Sequence, residues 1–266
     1  MEKNLAVALI QSALHWQDAQ ANLGHFGRII ASVKKPVDLI VLPEMFTTGF
    51  TMDSKSNAVI MDSSIIETMR GWAHAKKAVI AGTLIIKEKK NFYNRMVWVK
   101  PDGQIESYDK HHLFRMADEH RYYAAGNMRP VFSINGWKIL PIICYDLRFP
   151  VWIRNRMTKT NKFEYDVILC PANWPVARNA AWETLLGARA IENSCYSIGV
   201  NRVGVDGNGI KYIGNSSVFN FDGTIRAKAP SSKAQVVTSV LSMDELDEHR
   251  RRFPVQMDRD EFALLQ

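Results

Sequence analysis

The sequence has few cysteines and no long hydrophobic run. Its cysteines, Cys144, Cys170 and Cys195, are odd in number and form neither a CxxC pair nor a metal-ligand pattern. No apolar segment approaches the roughly 20 residues that cross a membrane, and the first residues lack the basic start of a signal peptide. We therefore expect a cytoplasmic protein with no membrane partner and no metal site.

The composition is that of a globular protein with an excess of positive charge. The 266 residues are 47% hydrophobic and 23% charged, which excludes a disordered chain, a collagen-like repeat and a small disulfide-rich fold. The net charge of +7 allows attraction either to small acidic molecules or to nucleic acid. The basic residues are scattered, and no RNP, helix-turn-helix or zinc signature is present, so a nucleic-acid-binding module is the remote alternative.

Short apolar runs alternate with helical patterns along the chain. The runs predict strands over 5–10, 38–42, 78–86, 93–99, 105–108, 138–144, 166–170 and 195–200, with a hairpin over 214–228. Helical spacing predicts helices over 19–33, 64–75 and 182–193 and a helix-like segment over 151–160. This alternation predicts an α/β fold whose sheets are covered by helices.

No linker or repeat divides the sequence, so we expect one domain over residues 1–266. Its C-terminal tail, residues 242–266, carries apolar side chains that need cover, and a partner subunit would supply it. These side chains are Phe253, Phe262, Leu264 and Leu265.

A carboxylate and a thiol each follow a predicted buried strand. Glu44 comes just after a strand that Pro43 ends, and ligand sites in open α/β sheets lie beyond the carboxyl ends of strands. A glutamate there can also cap a helix or pair with a surface lysine. Cys144 ends an apolar run before a helix-like stretch, the geometry of a nucleophile elbow, where a helix dipole would stabilise a thiolate. A buried, inert cysteine is the alternative.

Lys110 also stands just past a predicted strand. As a fixed cation it can donate to a developing oxyanion, although most lysines only solubilise a surface. None of the seven histidines lies in a papain-like or caspase-like context, so a carboxylate is the remaining candidate for the base of a cysteine enzyme. Because Glu44, Lys110 and Cys144 each follow a strand, all three can converge at one sheet edge.

A series of short blocks along the chain has the pattern of a known family. In order they are LPE at 42–44, DKHHLF at 109–114, ICYDLRFP at 143–150, PANWP at 171–175 and ARAIEN at 188–193. Over nearly its full length the chain thus resembles the nitrilase (carbon-nitrogen hydrolase) superfamily. Two further segments, PEMFTTGF at 43–50 and NRVGVDGNG at 201–209, resemble its bacterial omega-amidase branch, which hydrolyses the distal amide of 2-oxoglutaramate or 2-oxosuccinamate.

The resemblance implies a fold, an assembly and a set of roles. It implies an α-β-β-α sandwich of two sheets flanked by helices, paired as a homodimer, with no metal or organic cofactor. Cys144 would be the nucleophile that forms a thioester, Glu44 the general base, and Lys110 with the backbone N–H of Tyr145 the oxyanion donors. Glu119 would be a second acidic residue beside the lysine, although a surface glutamate in a charged loop is the alternative.

The substrate-binding residues follow from the charge of a 2-oxo acid. A buried arginine can bind the carboxylate with two hydrogen bonds, and Arg148 is the first candidate and Arg178 the second. A structural ion pair is the alternative role for Arg148. Phe114, Asn173 and Trp174 are candidate pocket walls, although aromatic residues near a core are more often packing. The expected function is hydrolysis of short 2-oxo acid amides, and the alternative is another amide or an N-carbamoyl group within the same superfamily.

Overall fold

The computed structural model describes residues 4–158, 160 and 162–263. The strands are β1 Asn4–Gln11, β2 Leu39–Val41, β3 Val79–Glu88, β4 Asn91–Val99, β5 Ile105–Asp109, β6 Phe132–Ile134, β7 Trp137–Pro141, β8 Val167–Ala172, β9 Tyr196–Asn201, β10 Val203–Val205, β11 Lys211–Ile213, β12 Ser217–Phe219, β13 Ile225–Lys228 and β14 Gln235–Ser242. The α-helices are α1 Ala19–Ser32, α2 Ser54–Asn57, α3 Ser64–Lys76, α4 Glu119–Tyr122, α5 Pro150–Ile153, α6 Asn179–Asn193 and α7 Met243–Arg252.

Two six-stranded sheets carry the fold. The first has the order β14-β1-β2-β3-β4-β5 and the second β13-β12-β9-β8-β7-β6, while β10 and β11 form a small separate ribbon. The central strands are parallel in both sheets: β1, β2 and β3 in the first, β7, β8 and β9 in the second. Strands β2, β8 and β9 are buried along their whole length, as their continuous apolar sequences predict.

The two sheets face each other across a shared core. Val7 and Leu9 of β1 point into it together with Ile139 of β7, whereas Ala8 and Ile10 point to the opposite face and pack against α1 and α3. On the second sheet, α6 packs against β9. The period-two alternation of β1 therefore separates an inner layer from an outer one. The predicted α-β-β-α sandwich is confirmed.

Strand ends bring the candidate residues to one edge. Glu44 lies three residues beyond β2, and Lys110 directly follows β5. Because β4 is antiparallel to both of its neighbours, β5 runs in the same direction as β2 and β3, and the carboxyl ends of these strands share one edge. Cys144 follows β7 and Asn173 directly follows β8 in the second sheet.

Two predicted elements are shorter than expected. The predicted strand over 138–144 ends at Pro141, and Cys144 begins a five-residue 3-10 helix. The helix-like segment predicted over 151–160 is wrong beyond Ile153, because Arg154 leaves the helical conformation and the backbone N–H of Asn155 donates to Asn193 Oδ1 at 2.8 Å. A long-range hydrogen bond thus ends a helix that local sequence would extend.

The C-terminal segment contains more structure than the predicted tail. Strand β14 pairs with β1 along its whole length, and α7 packs Leu246 and Arg250 into the protein. Beyond it, Phe253 and Phe262 are exposed, while Leu264 and Leu265 lie outside the described residues. Within the described part of the chain, no helix is long and apolar enough to cross a membrane.

Candidate active site

Cys144 lies in a tight turn and lines a cavity. Its backbone φ is +45°, in the left-handed region, which is unusual for a residue with a side chain. The turn is closed from both ends, since the backbone N–H of Asp146 donates to the Ile143 carbonyl at 3.0 Å and the Ile143 N–H donates to Asp146 Oδ2 at 3.0 Å. The expected elbow geometry is therefore present, with its nucleophile candidate at the strained residue.

The thiolate expected from a helix dipole is not supported. The 3-10 helix Cys144–Arg148 and the four-residue α5 that follows are too short to build a large dipole. Burial, and then the negative charge of Glu44, raise the pKa of the Cys144 thiol well above its ordinary value, although Lys110 acts in the opposite direction. The shift favours the neutral thiol over the thiolate.

A lysine is held between two carboxylates beside the thiol. Lys110 Nζ lies 3.1 Å from Glu44 Oε1 and 3.0 Å and 2.9 Å from the two carboxylate oxygens of Glu119. All three side chains are 0% exposed. An ammonium group has three N–H donors, and these contacts use them all. Glu119 is thus part of the buried cluster and not a surface residue.

The electrostatics of this cluster keep the lysine charged. Burial alone lowers the pKa of Lys110, but the charges of Glu119 and Glu44 outweigh it and raise the pKa above the ordinary lysine value. Burial raises the pKa of Glu119, against the opposing effect of Lys110. A permanent cation consequently lies within hydrogen-bonding distance of a candidate base.

Two asparagines fix Glu44. Asn94 Nδ2 donates to Glu44 Oε1 at 2.8 Å, and the backbone N–H of Asn173 donates to Oε2 at 2.7 Å. The Asn173 amide also donates to the Glu44 carbonyl at 2.6 Å, and the Asn173 carbonyl lies 3.9 Å from Cys144 Sγ. Asn173 therefore holds the carboxylate and also lines the cavity, where the sequence suggested only a wall.

The cavity above Cys144 has a volume of about 660 Å³. Six aromatic residues contribute to its wall: Trp16, Phe50, Phe114, Tyr145, Trp174 and Tyr212. Lys110 and Cys144 also line it, and Cys144 is partly exposed. Tyr145 is the second residue of the 3-10 helix that Cys144 begins, and the N–H groups of a first turn have no intrahelical acceptor. Its N–H is available to an oxyanion.

Arg148 and Arg178 both line the cavity. The expectation that they are buried is wrong, since both are half-buried at the cavity wall. The guanidinium carbon of Arg148 lies 4.8 Å from the Trp174 ring centre, and that of Arg178 lies 5.5 Å from the Phe114 ring centre. Within the described residues neither arginine pairs with a carboxylate, and the side chain of Arg178 donates only to Met116 Sδ at 2.7 Å. Both cations are free to bind an anion.

Several site residues were not identified from the sequence. Asn94 stands in the middle of a strand and carries no local signal, although a polar residue in an apolar strand is itself a hint. Trp16 and Tyr212 reach the cavity from separate loops and strands, and only the fold brings them together. Among the described residues, no group of three or more His, Cys, Asp or Glu side chains is arranged to hold a metal ion.

Comparison with known proteins gives full-length matches. The family model described as carbon-nitrogen hydrolase matches residues 6–251. Omega-amidase YafV from Yersinia enterocolitica is 47% identical over 261 residues, which cover 98% of this chain and 99% of that protein. The 2-oxoglutaramate amidase of Bacillus subtilis is 31% identical, covering 94% and 95% of the two chains. The structure of XC1258 from Xanthomonas campestris, a CN-hydrolase superfamily protein with an arsenic adduct in its active site, has a TM-score of 0.96 and 42% identity, covering 98% of this chain and 99% of that one.

Proposed function

The chain belongs to the carbon-nitrogen hydrolase family, and within it we propose that the protein is an omega-amidase. It hydrolyses the distal amide of short 2-oxo acid amides, such as 2-oxoglutaramate and 2-oxosuccinamate, to the 2-oxo dicarboxylate and ammonia. The omega-amidase and 2-oxoglutaramate amidase relatives support this substrate class.

One observation carries the proposed chemistry. Lys110 Nζ contacts Glu44 at 3.1 Å in a buried cluster, and Lys110 and Cys144 line the same cavity. Asn173 contacts both Glu44 and Cys144. A thiol, a carboxylate and a fixed cation are the groups that covalent amide hydrolysis needs, because an amide is a poor electrophile and reacts more readily in two steps.

In the first step Glu44 takes the proton of the Cys144 thiol as Sγ attacks the amide carbon. The π electrons of the carbon–oxygen double bond move onto the oxygen, and Lys110 Nζ and the Tyr145 N–H stabilise the resulting oxyanion. The tetrahedral intermediate then expels ammonia, which receives its additional proton from Glu44, and a thioester remains on Cys144.

In the second step water cleaves the thioester. Glu44 accepts a proton from the water as its oxygen attacks the thioester carbon, and the same oxyanion donors act again. Collapse of this intermediate breaks the carbon–sulfur bond, and Glu44 returns the proton to Sγ. The product acid leaves and the thiol is restored, so no external co-reactant other than water is consumed.

We propose that Glu119 acts through Lys110. It accepts two of the contacts of the lysine, and one of these can be exchanged for the oxyanion without freeing the side chain. Because Glu119 already holds Lys110 Nζ in place, the lysine needs little reorganisation when negative charge develops on the oxyanion.

We propose that the substrate carboxylate binds to Arg148, with Arg178 as the second candidate. Both arginines line the cavity and pack on the faces of Trp174 and Phe114. Because they are half-buried, the loss of a charge-assisted hydrogen bond is worth about 1.5–3 kcal/mol, less than for a fully buried pair. This corresponds to a preference of roughly 10- to 150-fold in kcat/KM.

The test compares 2-oxoglutaramate with the neutral amide butyramide. Wild type should prefer the charged amide, and Arg148→Met should lose most of this preference while its activity on butyramide stays unchanged. Arg178→Met is assayed in parallel. Arg70→Met serves as the control, because Arg70 is a half-buried arginine on α3 that pairs with Glu67 away from the cavity.

Equal kcat/KM for the two amides in wild type would refute the omega-amidase proposal and leave another amide or an N-carbamoyl group as the substrate. A preference that survives in both arginine variants would refute only the assignment of the carboxylate site.

We also propose one domain over the chain, a homodimer and a cytoplasmic location. The exposed Phe253 and Phe262 that follow α7 support a subunit contact at the C-terminal tail. The three cysteines are free thiols, which suits a reducing compartment.

A further inference from the structure

We propose that Asp146 is a positioning residue that sets the place of Cys144 relative to Lys110. This inference rests on the proposed roles of those two residues. It concerns a carboxylate that takes no part in the proton transfers described above.

The Asp146 side chain is fully buried and accepts hydrogen bonds with both of its oxygens. Oδ2 accepts from the Tyr108 hydroxyl at 2.8 Å and from the Ile143 N–H at 3.0 Å. Oδ1 accepts from the backbone N–H of His112 at 2.8 Å, and His112 Nδ1 lies 2.9 Å from the same oxygen.

These partners belong to the two segments that carry the proposed nucleophile and oxyanion donor. Ile143 immediately precedes Cys144, while Tyr108 and His112 stand two residues before and two residues after Lys110. A single carboxylate therefore joins the turn that contains Ile143 and Cys144, the cysteine turn, to residues 108–112, the lysine loop. The two segments follow strands of different sheets, so this hydrogen-bonded link adds to the packing of the core between them.

The lysine-loop end of this contact is rigid. The His112 ring is stacked on Phe149, with ring centres 3.6 Å apart, and the His111 ring is stacked on Trp152 at 3.7 Å. The backbone N–H of Lys110 is held separately by the Asn94 carbonyl at 3.0 Å. Loss of a hydrogen bond at Asp146 should therefore alter the position of the lysine loop relative to the cysteine turn, since the side chains of this loop are packed and not free to compensate.

The free-energy cost of burying the Asp146 carboxylate also indicates a role beyond stability. In the part of the chain that the structure describes, no lysine or arginine pairs with Asp146, so its charge is met by hydroxyl and backbone donors and by His112. Burial of a carboxylate is expensive even when its hydrogen bonds are made. An asparagine at this position would place its NH2 group against the N–H or O–H donors that now bind one carboxylate oxygen. The hydrogen bonds to one of the two segments would then be lost.

The test is Asp146→Asn in the full-length protein. A displacement of the reacting groups by about 1 Å costs about 10²-fold in rate, so we expect kcat to fall by about that factor. KM for 2-oxoglutaramate should change by less than about threefold, because the arginines and the aromatic wall are untouched. The rate at which iodoacetamide alkylates Cys144 should fall as well, since Glu44 no longer meets the thiol at the right distance.

Asp166→Asn is the matched control. Asp166 is a buried aspartate that accepts from the Lys138 N–H at 3.0 Å and from Arg250 Nη1 at 2.8 Å, and it does not line the cavity. This variant should lower the melting temperature and leave kcat and the alkylation rate unchanged. A purely structural role for Asp146 would give the same pattern in both variants.

Tyr108→Phe decides the matter if Asp146→Asn does not fold. It removes one donor to Asp146 and keeps the ring, and we expect kcat to fall by roughly 3- to 10-fold with KM unchanged. The inference is overturned if the folded Asp146→Asn protein has the kcat of wild type. If Asp146→Asn does not fold, a wild-type kcat for Tyr108→Phe overturns it. An equal fall in kcat for Asp166→Asn also overturns it. Activity of Cys144→Ala would instead overturn the proposed function, so the two failures are distinguishable.

Discussion

Substitution of Lys110 by methionine tests the buried cluster through stability as well as activity. In the native protein one cation lies between two carboxylates, and the three side chains are 0% exposed. Methionine fills similar space but leaves Glu44 and Glu119 buried without a cation. Breaking a buried charge pair in this way costs about 3–5 kcal/mol. At about 2–4 °C per kcal/mol, the melting temperature should fall by roughly 6–20 °C.

The pH dependence identifies the cause of that loss. Burial already raises the pKa of Glu119, and removal of the ammonium raises it further. A raised carboxyl pKa means that the native state binds protons more readily than the unfolded state, so stability increases as the pH falls toward the ordinary glutamate value of about 4.3. The deficit of Lys110→Met should therefore be large at about pH 8 and smaller at about pH 5.

The assay is urea unfolding of wild type and variant at both pH values. Lys100→Met is the control, because Lys100 pairs with Glu106 at 2.6 Å but the two side chains are 27% and 35% exposed. Such a pair is worth at most about 1 kcal/mol. A deficit for Lys110→Met no larger than that of Lys100→Met, or one that does not change with pH, would refute the reasoning.

Two further predictions follow from the thiol and from the tail. Because burial and Glu44 raise the pKa of Cys144, the rate of its alkylation by iodoacetamide should still increase with pH above about 9.5, where an ordinary cysteine with a pKa of about 8.5 has levelled off. A plateau below that pH would contradict a raised pKa. Light scattering should give a dimer or a multiple of it at micromolar concentration and a smaller species for Phe253→Glu, whereas a stable 30.3 kDa monomer in wild type would contradict the proposed interface.

The layer architecture could be predicted from the sequence because its signals are local. The apolar runs of β2, β8 and β9 predict strands buried on both faces. Glu44, Lys110 and Cys144 each come shortly after the end of a strand. The convergence of these residues follows from strand direction, which the alternation of strands and helices already indicates.

Other features depend on contacts between distant segments. The end of α5 is set by Asn193, and Asn94 becomes a partner of Glu44 only when β4 is placed in the sheet. The burial of Arg148 and Arg178 was overestimated, since their exposure depends on how the cavity opens and not on neighbouring residues. Sequence patterns report which faces are apolar, but not which polar side chains meet.

Ammonia release from 2-oxoglutaramate by Cys144→Ala is the most direct test of the central claim. The account expects a loss of at least about 10⁴-fold, the scale on which removal of a nucleophile acts, with circular dichroism unchanged. Cys195→Ala is the control, because Cys195 is a free cysteine that is buried outside the cavity, and this variant should keep the turnover of wild type. Turnover by Cys144→Ala close to that of wild type would contradict a covalent mechanism at this cysteine.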